Sequence, residues 1–211
     1  MNSFCLKRPY VLTVVYLIIT IVIGLFVVFL PLNQPECNIV LDLHNFTQRT
    51  IGLQAFQVLT YLGDFYFWTV LTLAYLLYAY FKSRKHFGSA TELAVFMVIT
   101  TALTSFLQVA FARPRPNCSG MRDNDENLFY SFSYPSGHVS RATGGFLNLS
   151  KGSKTRQSLA IIAISIVSLS RVILMAHYLT DVVGGIFLSL AAQKLANLSL
   201  PLLFRAWHKH G

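Results

Sequence analysis

From Tyr10 to Pro31 the chain reads YVLTVVYLIITIVIGLFVVFLP, without a single charge. At about 1.5 Å of rise per residue, a helix of this length crosses a hydrocarbon core of about 30 Å. The bulky far end offers no small-residue cleavage site, so the run reads as a retained first helix and not as a signal peptide. Comparable apolar runs follow at Phe65–Phe81, Leu93–Ala112, Gly137–Ser150, Ser158–Leu174 and Val182–Leu203. With 54% hydrophobic and only 12% charged residues, the composition is that of a membrane protein. The chain shows no internal repeat, low-complexity tract or linker. The expected architecture is all-α: one integral membrane bundle of six transmembrane helices, forming a single domain over residues 1–211.

The formal net charge of +9 is informative through its distribution. Six crossings put both termini on one side. The segments on that side then hold Lys7, Arg8, Lys82, Arg84, Lys85, Lys151, Lys154, Arg156, Arg205 and Lys209. The acids Glu36, Asp42, Asp64, Asp123, Asp125, Glu126 and Asp181 fall at the opposite ends, and only Glu92 falls with the bases. This asymmetry predicts cytoplasmic termini. The excess charge therefore orients the chain, and a nucleic-acid partner is not expected.

Two spans carry ionisable residues. Gly137–Ser150 contains Arg141 and rises only about 21 Å as a helix; either it starts earlier or its outer end is sunk within the bundle. Lys194 lies near the inner end of the last span, where its stem can snorkel to the interface. Cys5 falls near the inner face. Cys37 and Cys118 fall in the two largest outer loops, where an oxidising compartment permits pairing; a disulfide and two free thiols both fit. The triplets Asn45-Phe46-Thr47 and Asn117-Cys118-Ser119 are of the glycosylation type and also lie outside.

The same topology brings three polar clusters to the outer surface: Arg113-Pro114-Arg115-Pro116, Pro135-Ser136-Gly137-His138, and SRVILMAHYLTD from Ser170 to Asp181. Ionisable groups set against membrane spans are expensive and point to function. Arg115 and Arg171 present donor forks that match phosphate oxygens. Gly137 leaves room for backbone N–H groups to approach an anion at a helix start, with the Ser136 hydroxyl as a further donor. His177 is the better nucleophile, because Asp181, four residues on, can accept from one ring nitrogen and leave the other free to attack. His138 is then the general acid, and the base for water in the second half-reaction. Asp181 also fits a helix cap.

Pro135-Ser136-Gly137-His138, followed by Ser170-Arg171, His177 and Asp181, resembles the type 2 phosphatidic acid phosphatase superfamily of integral membrane lipid phosphatases. The resemblance covers roughly Tyr61 to Leu190. It implies a six-helix bundle, no metal or other cofactor, and a phosphohistidine mechanism. It implies His177 as nucleophile, Asp181 as its orienting group, His138 as general acid, and Arg115, Ser136, Gly137 and Arg171 as phosphate ligands. The family usually has a lysine seven residues before the arginine of its first motif. Here that position is Gln108, which can donate a hydrogen bond to phosphate without offering a charge; Arg113 or Arg122 are the cations that could compensate.

The local wording around Arg141 is most similar to the branch acting on isoprenoid diphosphates. The implied partners are membrane lipids and a lipid phosphate substrate, phosphatidate included. The implied setting is a bacterial inner membrane or an endoplasmic-reticulum-type membrane, with the site on the non-cytoplasmic face. A phosphotransferase on the same scaffold and a non-catalytic lipid-binding or transport protein are the alternative readings. Oligomeric state leaves no sequence signal.

Overall fold

The long uncharged stretches all become helices. The structure, a computed structural model, describes residues 3–118 and 132–210, with side chains described over 10–118 and 132–201. The helices are α1 (Ser3–Phe29), α2 (Asn33–Thr50), α3 (Gln54–Leu59), α4 (Phe65–Phe81), α5 (Phe87–Phe111), α6 (Gly137–Leu149), α7 (Lys154–Ile173) and α8 (Leu179–His210), with a 3-10 turn over Thr60–Gly63. Among the described residues there is no strand, only an isolated antiparallel bridge between Pro114 and Phe132. The outer residues Arg122, Asp123, Asp125 and Glu126 lie outside the described residues.

Among the described residues four helical segments are long and apolar enough to cross a membrane: Tyr10–Phe29, Arg84–Phe111, Lys154–Ile173 and Leu179–Pro201. A fifth results if Gln54–Gly63 and Phe65–Phe81, bent by 46° at their junction, count as one broken span. The shortfall from the expected six lies at α6, whose 13 residues rise only about 20 Å. The helix does not start earlier than its apolar run; it is sunk among its neighbours. α5, α7 and α8 all pack on it, and α1 lies along α8. Small residues permit this approach. A Cβ at Gly144 would run into the Phe96 ring and one at Gly145 into the indole of Trp68, so both glycines are required by close packing.

Trp68, Leu93, Phe96, Ala192 and Ala196 form one buried cluster, and Val40, Val139, Val172, Tyr178 and Val182 form another nearer the outer end. Large apolar side chains are nevertheless abundant on the outside, among them Val14, Ile18, Phe81, Val98 and Ile161. A surface of this kind belongs in hydrocarbon.

α2 falls where the sequence suggested a loop. Its buried residues Glu36, Val40 and Thr47 share one face at helical spacing. His44 Nδ1 donates to the Ile173 carbonyl at 2.8 Å, which ties α2 to the end of α7. Cys37 and Cys118 form a disulfide across a sequence separation of 81, with their Cα atoms 5.3 Å apart. Closing so long a loop restricts the unfolded chain. Replacing Cys37 with serine should therefore destabilise the protein by about 2–4 kcal/mol, read as a lower thermal midpoint in detergent without reductant. An unchanged midpoint would show that α2 holds its place without the bond.

Candidate active site

The two outer ends that frame His177 are built by opposite capping devices. α7 terminates in a Schellman arrangement: Ala176 N–H bonds to Arg171 O at 3.0 Å and Met175 N–H to Val172 O at 2.9 Å. Met175 occupies the left-handed region, φ 54°, where glycine is usual. His177 N–H also reaches Arg171 O, at 3.2 Å. α8 then begins with one half of a capping box, in which Asp181 Oδ2 accepts from Tyr178 N–H at 2.8 Å. Glu36 of α2 adds a second cap by accepting from Thr180 N–H at 3.0 Å. The turn that carries His177 is fixed from both sides, and the imidazole is 1% exposed.

His177 Nδ1 lies 2.9 Å from the Ser133 carbonyl oxygen. A carbonyl only accepts, so Nδ1 carries the proton and Nε2 the lone pair. The Asp181 carboxylate is farther off, 3.6 Å from Nδ1. His177 precedes α8, so the four-residue spacing does not stack the two side chains as helix neighbours. The tautomer that sequence reasoning expected Asp181 to set is thus held at hydrogen-bond distance by a backbone carbonyl.

Asp181 is engaged elsewhere. Arg113 Nη1 donates to Asp181 Oδ1 at 2.6 Å and to Thr180 Oγ1 at 2.6 Å. Its Nη2 reaches Glu36 Oε2 at 2.5 Å, Asn33 Oδ1 takes Nε at 3.0 Å, and the guanidinium lies 3.9 Å over the Tyr178 ring. Arg113 is 2% exposed, and this network occupies it. It is a clamp between α2 and α8, not the compensating phosphate ligand considered from sequence. Burial, as the largest influence, raises the Tyr178 phenol above its ordinary value despite the opposing Arg113 charge; the ring meets the cation as a neutral aromatic face.

The second half of the site gathers around His138 in the first turn of α6. The charges of Arg171, Arg141 and Arg115 and the His177 ring lie within electrostatic range of it. Each arginine is anchored through a neutral oxygen: Arg115 Nη1 to Ala176 O at 3.3 Å, Arg141 Nε to Gly63 O at 3.2 Å, and Arg171 Nη1 to Thr60 Oγ1 at 2.8 Å. A Cβ at Gly137 would stand 3.1 Å from Arg141 Nη1, so the glycine lets that guanidinium lie over the helix start. Ser136, the N-cap, makes no side-chain cap bond; its hydroxyl is buried and has no hydrogen-bond partner among the described residues. Gln108 donates its amide to the Pro135 carbonyl at 3.1 Å. It braces the turn into α6.

The structure therefore brings His138, His177, Arg115, Arg171, Ser136 and Gly137 to one end of the bundle, and adds Arg141. Sequence reasoning missed Ser133, Asp64, Glu36 and Asn33 as members of this region. Asp64 had a visible signal, an acid directly before an apolar run, which marks a helix start. Ser133 acts through its backbone and leaves no sequence signal.

Residues 89–203, more than half of the chain, match the family model described as the PAP2 superfamily. No curated protein sequence matches the chain significantly. The fold is similar to that of the first transmembrane PAP2-type phosphatidylglycerolphosphate phosphatase from Bacillus subtilis, at 24% identity and a TM-score of 0.71, over 90% of this chain and 94% of that one. It is also similar to LpxE of Aquifex aeolicus, at 20% identity and a TM-score of 0.59, over 76% and 93% of the two chains. With its PSGH turn at the head of a buried helix and His177 capped between two others, the chain belongs to the PAP2 superfamily and has the fold of its membrane lipid phosphatases.

Proposed function

We propose that the protein hydrolyses the phosphate or diphosphate head group of a membrane lipid through a phosphohistidine on His177, with His138 as proton donor. The observation that carries this is the Nδ1–H bond to Ser133, which leaves the Nε2 lone pair for attack on phosphorus. As the N–P bond forms and the P–O bond to the lipid breaks, His138 gives its proton to the departing oxygen. Water then attacks the phosphohistidine, His138 takes the proton from that water, and phosphate leaves. Arg115, Arg141 and Arg171 supply positive charge to the phosphoryl oxygens, with the Ser136 hydroxyl and the α6 N–H groups as further donors. The chemistry needs no metal, because these groups carry the charge stabilisation.

A groove suits the tail. A cavity of about 500 Å³ lies between α4 and α5, lined by Phe65, Thr72, Leu76, Met97, Val98 and Ala102, among others. Phe65 stands at its outer end, 5.9 Å below the Arg141 guanidinium. Head group on arginine and chain in the groove is the arrangement that a lipid entering sideways from the bilayer requires. In this reading α6 completes a sixth, buried crossing, both termini are cytoplasmic, and the site opens on the non-cytoplasmic face of a bacterial inner membrane or an endoplasmic-reticulum-type membrane. Isoprenoid diphosphates, phosphatidate and phosphatidylglycerol phosphate are the head groups to compare first.

The test is phosphate release from these lipids in detergent, with trapping of an acid-labile, alkali-stable phosphoprotein. Transfer of label to an added alcohol in place of water would make the enzyme a phosphotransferase, and binding without release would make it a lipid-binding protein. Ala102→Trp should fill the groove and raise KM roughly ten-fold for a long-chain substrate, with little change for a short, water-soluble phosphate ester. Equal effects on both would place the tail elsewhere.

A further inference from the structure

We infer that Asp64 is a positioning residue for His138: its carboxylate holds the imidazolium and fixes which ring nitrogen delivers the proton. The inference rests on the proposed role of His138 as proton donor. Asp64 Oδ2 lies 3.9 Å from His138 Nε2, with the two side chains 28% and 23% exposed. That separation is longer than a hydrogen bond, and such contacts commonly tighten only when substrate is bound.

The carboxylate has little freedom to move away. Its other oxygen, Oδ1, accepts from Tyr66 N–H at 2.7 Å as the N-cap of α4. Asp64 N–H bonds to Tyr61 O at 3.0 Å. The preceding residue is pressed onto α6: a Cβ at Gly63 would stand 2.9 Å from both the Cβ and the carbonyl oxygen of His138. Three members of one short segment each take a different group of the site, Thr60 holding Arg171, Gly63 holding Arg141 and Asp64 facing His138. The bend between α3 and α4 is thus a second wall of the site, on elements that the family motifs do not include.

Charge gives this wall its purpose. The positive charges that act on His138 among the described residues include Arg171, Arg141 and Arg115, with the His177 ring as a further neighbour. Among the described residues Asp64 is the acid paired with it, Oδ2 to Nε2 at 3.9 Å, and an opposite charge at this range favours the protonated ring. With Nε2–H directed to Asp64, Nδ1–H is the proton available to the departing oxygen. After that transfer the neutral ring keeps Nε2–H on Asp64, so the Nδ1 lone pair is ready to accept from the attacking water. One carboxylate serves both halves of the cycle.

Asp64→Asn separates charge from capping, since asparagine caps a helix about as well as aspartate. Relative to wild type, kcat at neutral pH should fall roughly 10- to 100-fold, with KM changed less than about two-fold. The basic limb of the kcat–pH profile should move down by about one pH unit, so that acidification restores part of the loss. Asp64→Glu should recover activity, and Asp64→Ser, a second neutral cap, should reproduce the shifted limb if the asparagine variant folds poorly. An equal loss at every pH, or a wild-type profile in both neutral variants, overturns the inference. His138→Ala run beside them tests the reading beneath it: turnover surviving there removes His138 as donor, whereas an inactive His138→Ala with an unshifted Asp64→Asn removes Asp64 alone.

Discussion

His177→Ala should lower phosphate release by at least about four orders of magnitude, the scale on which loss of a nucleophile acts when the rest of a site survives. The substitution removes the only atom proposed to bond to phosphorus. It should leave Arg115, Arg141 and Arg171 in place, because Ala176 O, Gly63 O and Thr60 Oγ1 hold them independently of the imidazole. Inhibition of the wild type by vanadate and retained vanadate binding by the variant should therefore go together. The turn itself should also survive, since Ala176 N–H and Asp181 Oδ2 hold its backbone, although the ring's bond to the Ser133 carbonyl is lost. The variant should fold with a near-normal thermal midpoint and form no phosphoprotein. Measurable turnover with normal KM would mean that another group attacks phosphorus and that the buried histidine is structural.

How much of this could be read from the chain depends on where the information resides. Segments that meet hydrocarbon announce themselves: the Phe65–Phe81 run coincides with α4, and the Leu93–Ala112 run sits within one residue of the end of α5. α2 did not, because the helix is mostly polar and its inward-facing residues, among them Glu36, Cys37, Val40, Leu43, His44 and Thr47, form no apolar run. The convergence of three clusters followed from topology alone, since the outer ends of helices must share a level. Partners within that level did not follow. Arg113 and Arg115 stand in identical Arg-Pro pairs, and the partners that hold Arg113 in the bundle, Asn33, Glu36 and Asp181, lie far from it in sequence. The acid assigned to His177 was legible as a neighbour in sequence, but a helix boundary falls between them and a carbonyl takes the nearer place.

The decisive test of that division of labour is Arg113. Replacing it with methionine should destabilise folding by about 3–5 kcal/mol, the usual consequence of leaving buried charge without its partner. Glu36 and Asp181 are 8% and 0% exposed, and both carboxylates lie against the same guanidinium. Without it, two negative groups would face each other in a closed space, Thr180 would lose a donor, and the Tyr178 ring would lose its cation. Lysine should rescue poorly, because a single ammonium cannot span two carboxylates and Asn33 as the planar fork does. Adding Glu36→Gln to Arg113→Met should recover part of the loss by removing one of the opposed charges, which a double-mutant cycle in detergent unfolding would measure. A phosphate-binding Arg113 would give the reverse pattern, an intact midpoint and a raised KM, because a ligand to substrate is missed only when substrate is present. Collapse of the midpoint with the network's carboxylates as the cause would instead place Arg113 in the frame, and leave recognition of the head group to the arginines that surround His138.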